Sequence, residues 1–224
     1  MGNLELAPYI DHTLLKLDAT EADVVKLCAE AREFGFKTVC IRANWLSVAG
    51  KQLKGTSVLP ITVVGFPEGN GSTARKVEET EQAIRWGAQE IDMVINRDWL
   101  KQKNYQAVLQ DIQSVVRAAG DSPVKVILET SELSQTEKQI ACALSVAGGA
   151  RFVKTSTGFS SGGATAADVR LMRDSVGDKI GVKASGGVRT HKDAIQMIEA
   201  GANRLGTSAS VAIVTDASAK PEGY

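Results

Sequence analysis

Apolar residues recur near i, i+3 and i+4 in four long stretches of the chain: Ala22 to Phe34, Thr73 to Trp86, Tyr105 to Ala119 and Lys192 to Ala200. That spacing predicts amphipathic helices. Between such stretches lie short runs rich in β-branched and apolar residues, predicted as eight strands. They are Tyr9 to Thr13, Thr38 to Ile41, Ile61 to Phe66, Glu90 to Ile95, Val124 to Glu129, Arg151 to Ser156, Gly181 to Ser185 and Arg204 to Thr207.

Two kinds of punctuation support this division. Glycines at 35, 87, 120, 148, 177 and 201 read as helix stops, and those from Gly87 to Gly201 are 33, 28, 29 and 24 residues apart, about one strand plus one helix. Thr20 with Asp23, Ser134 with Glu137, Thr165 with Asp168, and Thr190 with Asp193 each place a hydroxyl three residues before a carboxylate, the signature of a helix start. Alternating strands and helices imply a parallel sheet, and eight units over 224 residues suit a closed (β/α)8 TIM barrel in a single domain. An open doubly wound sheet would want a Gly-rich phosphate turn after its first strand. Neither GxGxxG nor GxxxxGK[ST] occurs.

Composition narrows the partners. Twenty-six Lys and Arg balance 26 Asp and Glu, which removes the electrostatic drive of a nucleic-acid binder. The apolar runs, such as Val58 to Val64, are far short of the ~20 residues that span a bilayer. The first sixteen residues lack the basic and apolar regions of a secretory signal, so the expectation is a cytoplasmic protein with neither membrane nor nucleic acid as partner. Cys28, Cys40 and Cys142 are odd in number and widely spaced, which argues against a disulfide framework. Apolar helix faces could equally serve the core or a homodimer.

The chemistry is expected where strands four, six and seven end, because a barrel builds its site at the carboxyl ends of its strands. Strand alternation turns Asp92, Lys154 and Lys183 inward if Ile91, Met93, Val153, Val182 and Ala184 face the helices. A lone strand-end lysine ordinarily snorkels to solvent. Two on adjacent strands, however, repel each other, and a neighbouring cation plus desolvation prepares a neutral, nucleophilic amine. Such an amine attacks a carbonyl to form an imine, with Asp92 moving protons; its bland alternative is a structural ion pair. A zinc aldolase needs about three ligands, and only His12 and His191 are present, so no metal or other cofactor is expected. Strands seven and eight are followed by Gly-rich turns, the recurrent phosphate site of this fold. Lys154, Lys183 and Arg189 would then gather at one mouth, opposed by Asp92 and Glu129.

Three blocks stand in order: Ile91-Asp92-Met93-Val94-Ile95-Asn96, Lys154-Thr155-Ser156-Thr157-Gly158-Phe159, and Val182-Lys183-Ala184-Ser185-Gly186-Gly187-Val188-Arg189-Thr190. With Ile10-Asp11-His12-Thr13 and Arg204-Leu205-Gly206-Thr207-Ser208, they make the chain closely resemble the deoxyribose-phosphate aldolases over nearly its whole length. The resemblance implies a metal-free class I enzyme that cleaves 2-deoxy-D-ribose 5-phosphate reversibly to D-glyceraldehyde 3-phosphate and acetaldehyde. It implies Lys154 as the Schiff-base lysine, Lys183 as its pKa-lowering neighbour and proton partner, and Asp92 as proton donor or acceptor. It also implies phosphate binding at Gly186, Gly187, Gly206 and Ser208, and a proton relay at Tyr224, carried on a flexible tail at about 216–224. Phe159 stands where some members carry a phosphate-holding lysine, and Ala209 replaces a second serine. The residues alone leave two rivals: another Schiff-base lyase, and a non-catalytic sugar-phosphate-binding barrel.

Overall fold

The computed structural model describes residues 5–215. Strands β1 (Ile10–Leu14), β2 (Thr38–Ile41), β3 (Leu59–Val64), β4 (Glu90–Val94), β5 (Val124–Ile127), β6 (Phe152–Lys154), β7 (Gly181–Ser185) and β8 (Arg204–Thr207) close in sequence order into a parallel barrel. Outside them lie α1 (Glu21–Phe34), α2 (Leu46–Gln52), α3 (Thr73–Arg85), α4 (Arg97–Lys101), α5 (Tyr105–Ala119), α6 (Gln135–Ala147), α7 (Ala166–Val176), α8 (His191–Glu199) and α9 (Ser210–Thr215). The single-domain (β/α)8 architecture expected from the βα rhythm is therefore present. The tail and Tyr224 lie outside the described residues.

Local chemistry explains the boundaries. Thr20, Ser134 and Thr190 cap α1, α6 and α8 with reciprocal boxes through Asp23, Glu137 and Asp193, each worth about 1 kcal/mol. Gly35 ends α1 in the left-handed conformation at φ 69°, which glycine adopts without a Cβ penalty. Ser72, Asn96 and Asn104 cap α3, α4 and α5 by side chain alone, which is why the paired-residue signature passes over them.

Three strands differ from their predicted spans by two residues at an end, while β1 is shifted by one residue and β4 ends one residue early. Strand β3 begins two residues early, at Leu59, and stops before Gly65, whose φ is 61°. Strand β5 stops at Ile127, because Glu129 takes φ 58° and turns out of the sheet. Strand β6 is only three residues long, although backbone bonding continues through Thr155 N–H to the Lys183 carbonyl at 3.0 Å.

Alternation sorts the side chains into two cores. Val39, Ile41, Ile91, Met93, Val126, Val153, Val182, Ala184 and Leu205 point outward into a large apolar layer beneath the helices. Among the described residues, only Leu15, Cys40, Ile61 and Val63, with Leu59 and Phe66 against them, form an apolar cluster inside the barrel. It occupies the side built by β1 to β3. The opposite side is charged.

Candidate active site

Asp92, Lys154 and Lys183 meet inside the barrel. Parallel register sets Asp92 beside Lys125 and Lys154 beside Lys183, so β4, β6 and β7 deliver their inward side chains to one level. Asp92 Oδ2 accepts from Lys154 Nζ at 2.9 Å and from Lys183 Nζ at 2.8 Å. Its Oδ1 accepts from Lys125 Nζ at 2.8 Å. Lys125 and Lys183 are fully buried, and Lys154 keeps 3% exposure at the top of the group.

Four further charged residues complete the network. Lys125 also pairs with Glu90 at 2.5 Å, and Lys183 with Asp11 at 2.5 Å. Arg204 bridges Asp11 at 2.7 Å and Glu90 at 3.2 Å, while the Thr38 hydroxyl donates to Asp11 at 2.7 Å. Asp11, Glu90, Lys125 and Arg204 were not singled out from sequence. Their two-residue offsets were legible, since Glu90 precedes Asp92 by one inward position, but which residues stand side by side depends on strand register.

This network decides the charge on each group. Seven side chains carry three negative and four positive formal charges when all are ionised; the cluster is neutral when one lysine is a free amine. Lys154 is the lysine most easily spared, since it touches a single carboxylate while Lys125 and Lys183 each touch two. Burial lowers its pKa, Asp92 opposes and Lys183 adds to the lowering, for a net decrease. Lys183 is also penalised by burial, but Asp11 and Asp92 overcome this and raise its pKa above the ordinary lysine value. Burial would push Asp92 up; Lys125, Lys154 and Lys183 together hold it well below the usual carboxylate range. One amine disposed to be neutral thus lies beside one committed ammonium and one committed carboxylate.

The rest of the mouth is more specific than the glycine pattern suggested. Gly186 and Gly187 take φ 82° and 78°, the left-handed region that glycine adopts without a Cβ penalty. Gly187 is exposed. The amides of Arg189 and Thr190 both donate to Asp193 at 3.0 Å, so the start of α8 is already occupied by a carboxylate. Ser208 precedes rather than begins a helix: Ala209 N–H donates to Thr207 Oγ1 at 3.0 Å and α9 starts at Ser210. Gly206 sits within β8, where a Cβ would collide with Ser185 Oγ and stand 2.8 Å from Lys183 Cε. Its missing side chain makes room for the lysine.

Two expected participants lie elsewhere. Glu129 does not oppose the lysines; it accepts from the Thr157 hydroxyl at 2.5 Å and the Ser160 hydroxyl at 2.9 Å, pinning the loop after β6. Arg189 has an exposed side chain. Phe159, 40% exposed, meets Phe66 edge-on at 5.1 Å between ring centroids. His12 is held by Ser210 and Glu30, each at 2.8 Å, and His191 by the Ile213 carbonyl at 3.2 Å. Cys40 is fully buried, and burial raises its thiol pKa.

A closed (β/α)8 barrel whose coupled charges converge toward the carboxyl ends of its strands has the architecture of a barrel enzyme. The chain belongs to the DeoC/LacD family of aldolases, whose model matches residues 6–213. It is 54% identical over 211 residues to the deoxyribose-phosphate aldolase of Streptococcus pneumoniae strain CGSP14, covering 94% of this chain and 96% of that one. The deoxyribose-phosphate aldolase of Brevibacillus brevis is 52% identical over 221 residues, covering 99% and 100%. Among solved structures, the tetrameric deoxyribose phosphate aldolase of Aeropyrum pernix superposes with a TM-score of 0.89 at 32% identity, over 96% of this chain and 92% of that one. Among the described residues no helix is long and apolar enough to cross a membrane.

Proposed function

We propose that this aldolase cleaves 2-deoxy-D-ribose 5-phosphate through an imine on Lys154, and runs the reaction in reverse. The observation that carries this reading is the division of charge around Asp92. Lys154 is the buried amine with a lowered pKa, beside the Lys183 ammonium, whose pKa Asp11 and Asp92 raise. The identity to deoxyribose-phosphate aldolases over almost the full chain supplies the substrate class.

The steps follow from those protonation states. The Lys154 amine adds to the C1 aldehyde, and the carbinolamine loses water as Lys183, through Asp92 or a water, supplies a proton to the departing hydroxyl. The C3 hydroxyl then gives its proton, through Asp92 or a water, to the Lys183 amine left by the preceding step, the C2–C3 bond breaks, and its electron pair passes to the protonated imine as an enamine. D-Glyceraldehyde 3-phosphate leaves. Protonation of the enamine at C2 and hydrolysis release acetaldehyde and restore the amine. A positioned acid and base contribute about 10² to 10⁴ in rate, and the ammonium–carboxylate pair of Lys183 and Asp92 is already placed for both roles.

The 5-phosphate is assigned to the Gly186–Gly187 turn and the Gly206–Ser208 end of β8, with Ser208 half-buried beside it. Tyr224 keeps its assignment as a proton relay at the methyl carbon. Cys28, Cys40 and Cys142 are free and buried, which supports a reducing, cytoplasmic setting. Half-exposed Trp86 offers apolar surface to a second copy, and light scattering reads the assembly. Incubation with acetaldehyde and borohydride tests the central step: one reduced two-carbon adduct at Lys154 is expected, and an adduct elsewhere, or none, overturns it.

A further inference from the structure

Among the described residues, three buried hydroxyls have no hydrogen-bond partner: Thr130, Ser156 and Ser185. Two of them closely follow the lysine pair along the chain. Lys154 and Lys183 are register partners on β6 and β7; Ser185, the last residue of β7, is one inward-facing position beyond Lys183, and Ser156 follows Lys154 by two residues, just past the end of β6. The Ser185 Oγ crowds the same point of Gly206 as the Lys183 side chain. The Ser156 Cβ lies 3.4 Å from where a Cβ on Gly186 would stand. Thr155 locks Ser185 in place, since its hydroxyl donates to the Ser185 carbonyl and accepts from the Ser185 amide, each at 2.9 Å. Ser156 is fully buried and Ser185 is 3% exposed.

A buried hydroxyl without a partner is costly, and such groups in native structures call for a reason. Each serine follows one of the two lysines by two residues, and Ser185 directly precedes the glycine turn assigned to the 5-phosphate, a placement that suits the middle carbons of an extended five-carbon chain. We propose that Ser156 and Ser185 form a recognition pair for the C4 hydroxyl of the sugar, which is the 2-hydroxyl of the acceptor aldehyde. Their unmet hydrogen bonds are satisfied on binding, so the pair selects an α-hydroxylated acceptor over one lacking that group. A site built to bond a substrate hydroxyl discriminates strongly against the analogue without it, because its polar groups then stay unpaired. This inference rests on the Lys154 imine reading.

The test is the synthetic direction with acetaldehyde as donor, comparing D-glyceraldehyde 3-phosphate with 3-oxopropyl phosphate, the same acceptor without its 2-hydroxyl. The ratio of the two kcat/KM values is expected to fall about tenfold in Ser156→Ala and in Ser185→Ala, the scale of one neutral hydrogen bond. Melting temperatures should hold or rise in both variants, because each loses an unpaired buried group. An unchanged ratio, or a melting temperature that drops as for a structural hydroxyl, overturns the proposal. Borohydride trapping of the wild-type protein separates the two readings. No adduct at Lys154 overturns the imine and this pair together, whereas an adduct with an unchanged ratio overturns the pair alone.

Discussion

Replacing Lys183 by methionine keeps most of the side-chain volume but removes one positive charge from beside Lys154. Both ammonium nitrogens bond the same oxygen of Asp92, at 2.8 and 2.9 Å. The sum of those distances, about 5.7 Å, is the greatest separation the nitrogens can have. Two unit charges at that distance repel by about 3 kcal/mol at an effective dielectric of about 20, and each pKa unit corresponds to about 1.4 kcal/mol. Removing Lys183 should therefore raise the Lys154 pKa by about 2 units or more. Below both values the free-amine fraction falls about 100-fold. The assay is the pH dependence of borohydride-trapped acetaldehyde adduct at Lys154, read by mass spectrometry at a fixed short time. The wild-type profile should rise with pH below the ordinary lysine value of about 10.4, and the variant profile should move alkaline by about 2 units. Asp11 keeps Arg204 and Thr38 as partners in the variant, so circular dichroism and a melting curve establish that it remains folded. A folded variant whose profile moves by less than about half a unit would refute the electrostatic role of Lys183.

Asp92→Asn leaves the ammoniums of Lys125, Lys154 and Lys183 around an uncharged amide; it should lose about 3–5 kcal/mol in urea denaturation, and a loss below about 1 kcal/mol would show that the network is not electrostatically held. Gly206→Ala drives a methyl against Lys183 and Ser185; overpacking costs about 1–3 kcal/mol, and cleavage activity should drop with it, whereas wild-type activity in a folded variant would mean that Lys183 has room to move. Asp11 and Asp92 have folded pKa values held below the ordinary one by the surrounding cations. A depressed carboxylate contributes stability that is complete above its unfolded pKa of about 3.9 and is lost as pH falls toward the folded value. Urea midpoints should accordingly hold from pH 7 to about 5 and decline steeply from about 4 to 3; a flat profile to pH 3 would contradict the shifts.

The barrel was legible because its signals are local. A helix cap needs only residues three apart, as at Thr20 and Asp23, and strand alternation is a property of neighbours, so Asp92, Lys154 and Lys183 could be turned inward without knowing what lay opposite. Zero net charge discouraged a nucleic-acid partner, yet it concealed a dense interior cluster, since a whole-chain sum is blind to position. The details that failed were those set by distant chain. Glu129 and Arg189 belong to the right loops, but Thr157, Ser160 and Arg97 hold the first, and the second is exposed. Lys125 reads as an ordinary strand-start lysine until β4 lies beside β5 and sets it against Asp92. The buried pair of Lys76 and Asp111 at 2.6 Å was equally invisible, because it joins two helices whose faces meet only in the folded barrel.

The sequence by itself thus determined the βα count, the inward face of β4, β6 and β7, and two of the three coupled lysines, Lys154 and Lys183. Tertiary structure alone decided which carboxylate serves which cation, and so which lysine can be neutral. The reason is physical: alternation and capping are dictated within a few residues, whereas a pKa in a buried cluster depends on charges within about 6 Å that the chain supplies from β1, β4, β5, β7 and β8.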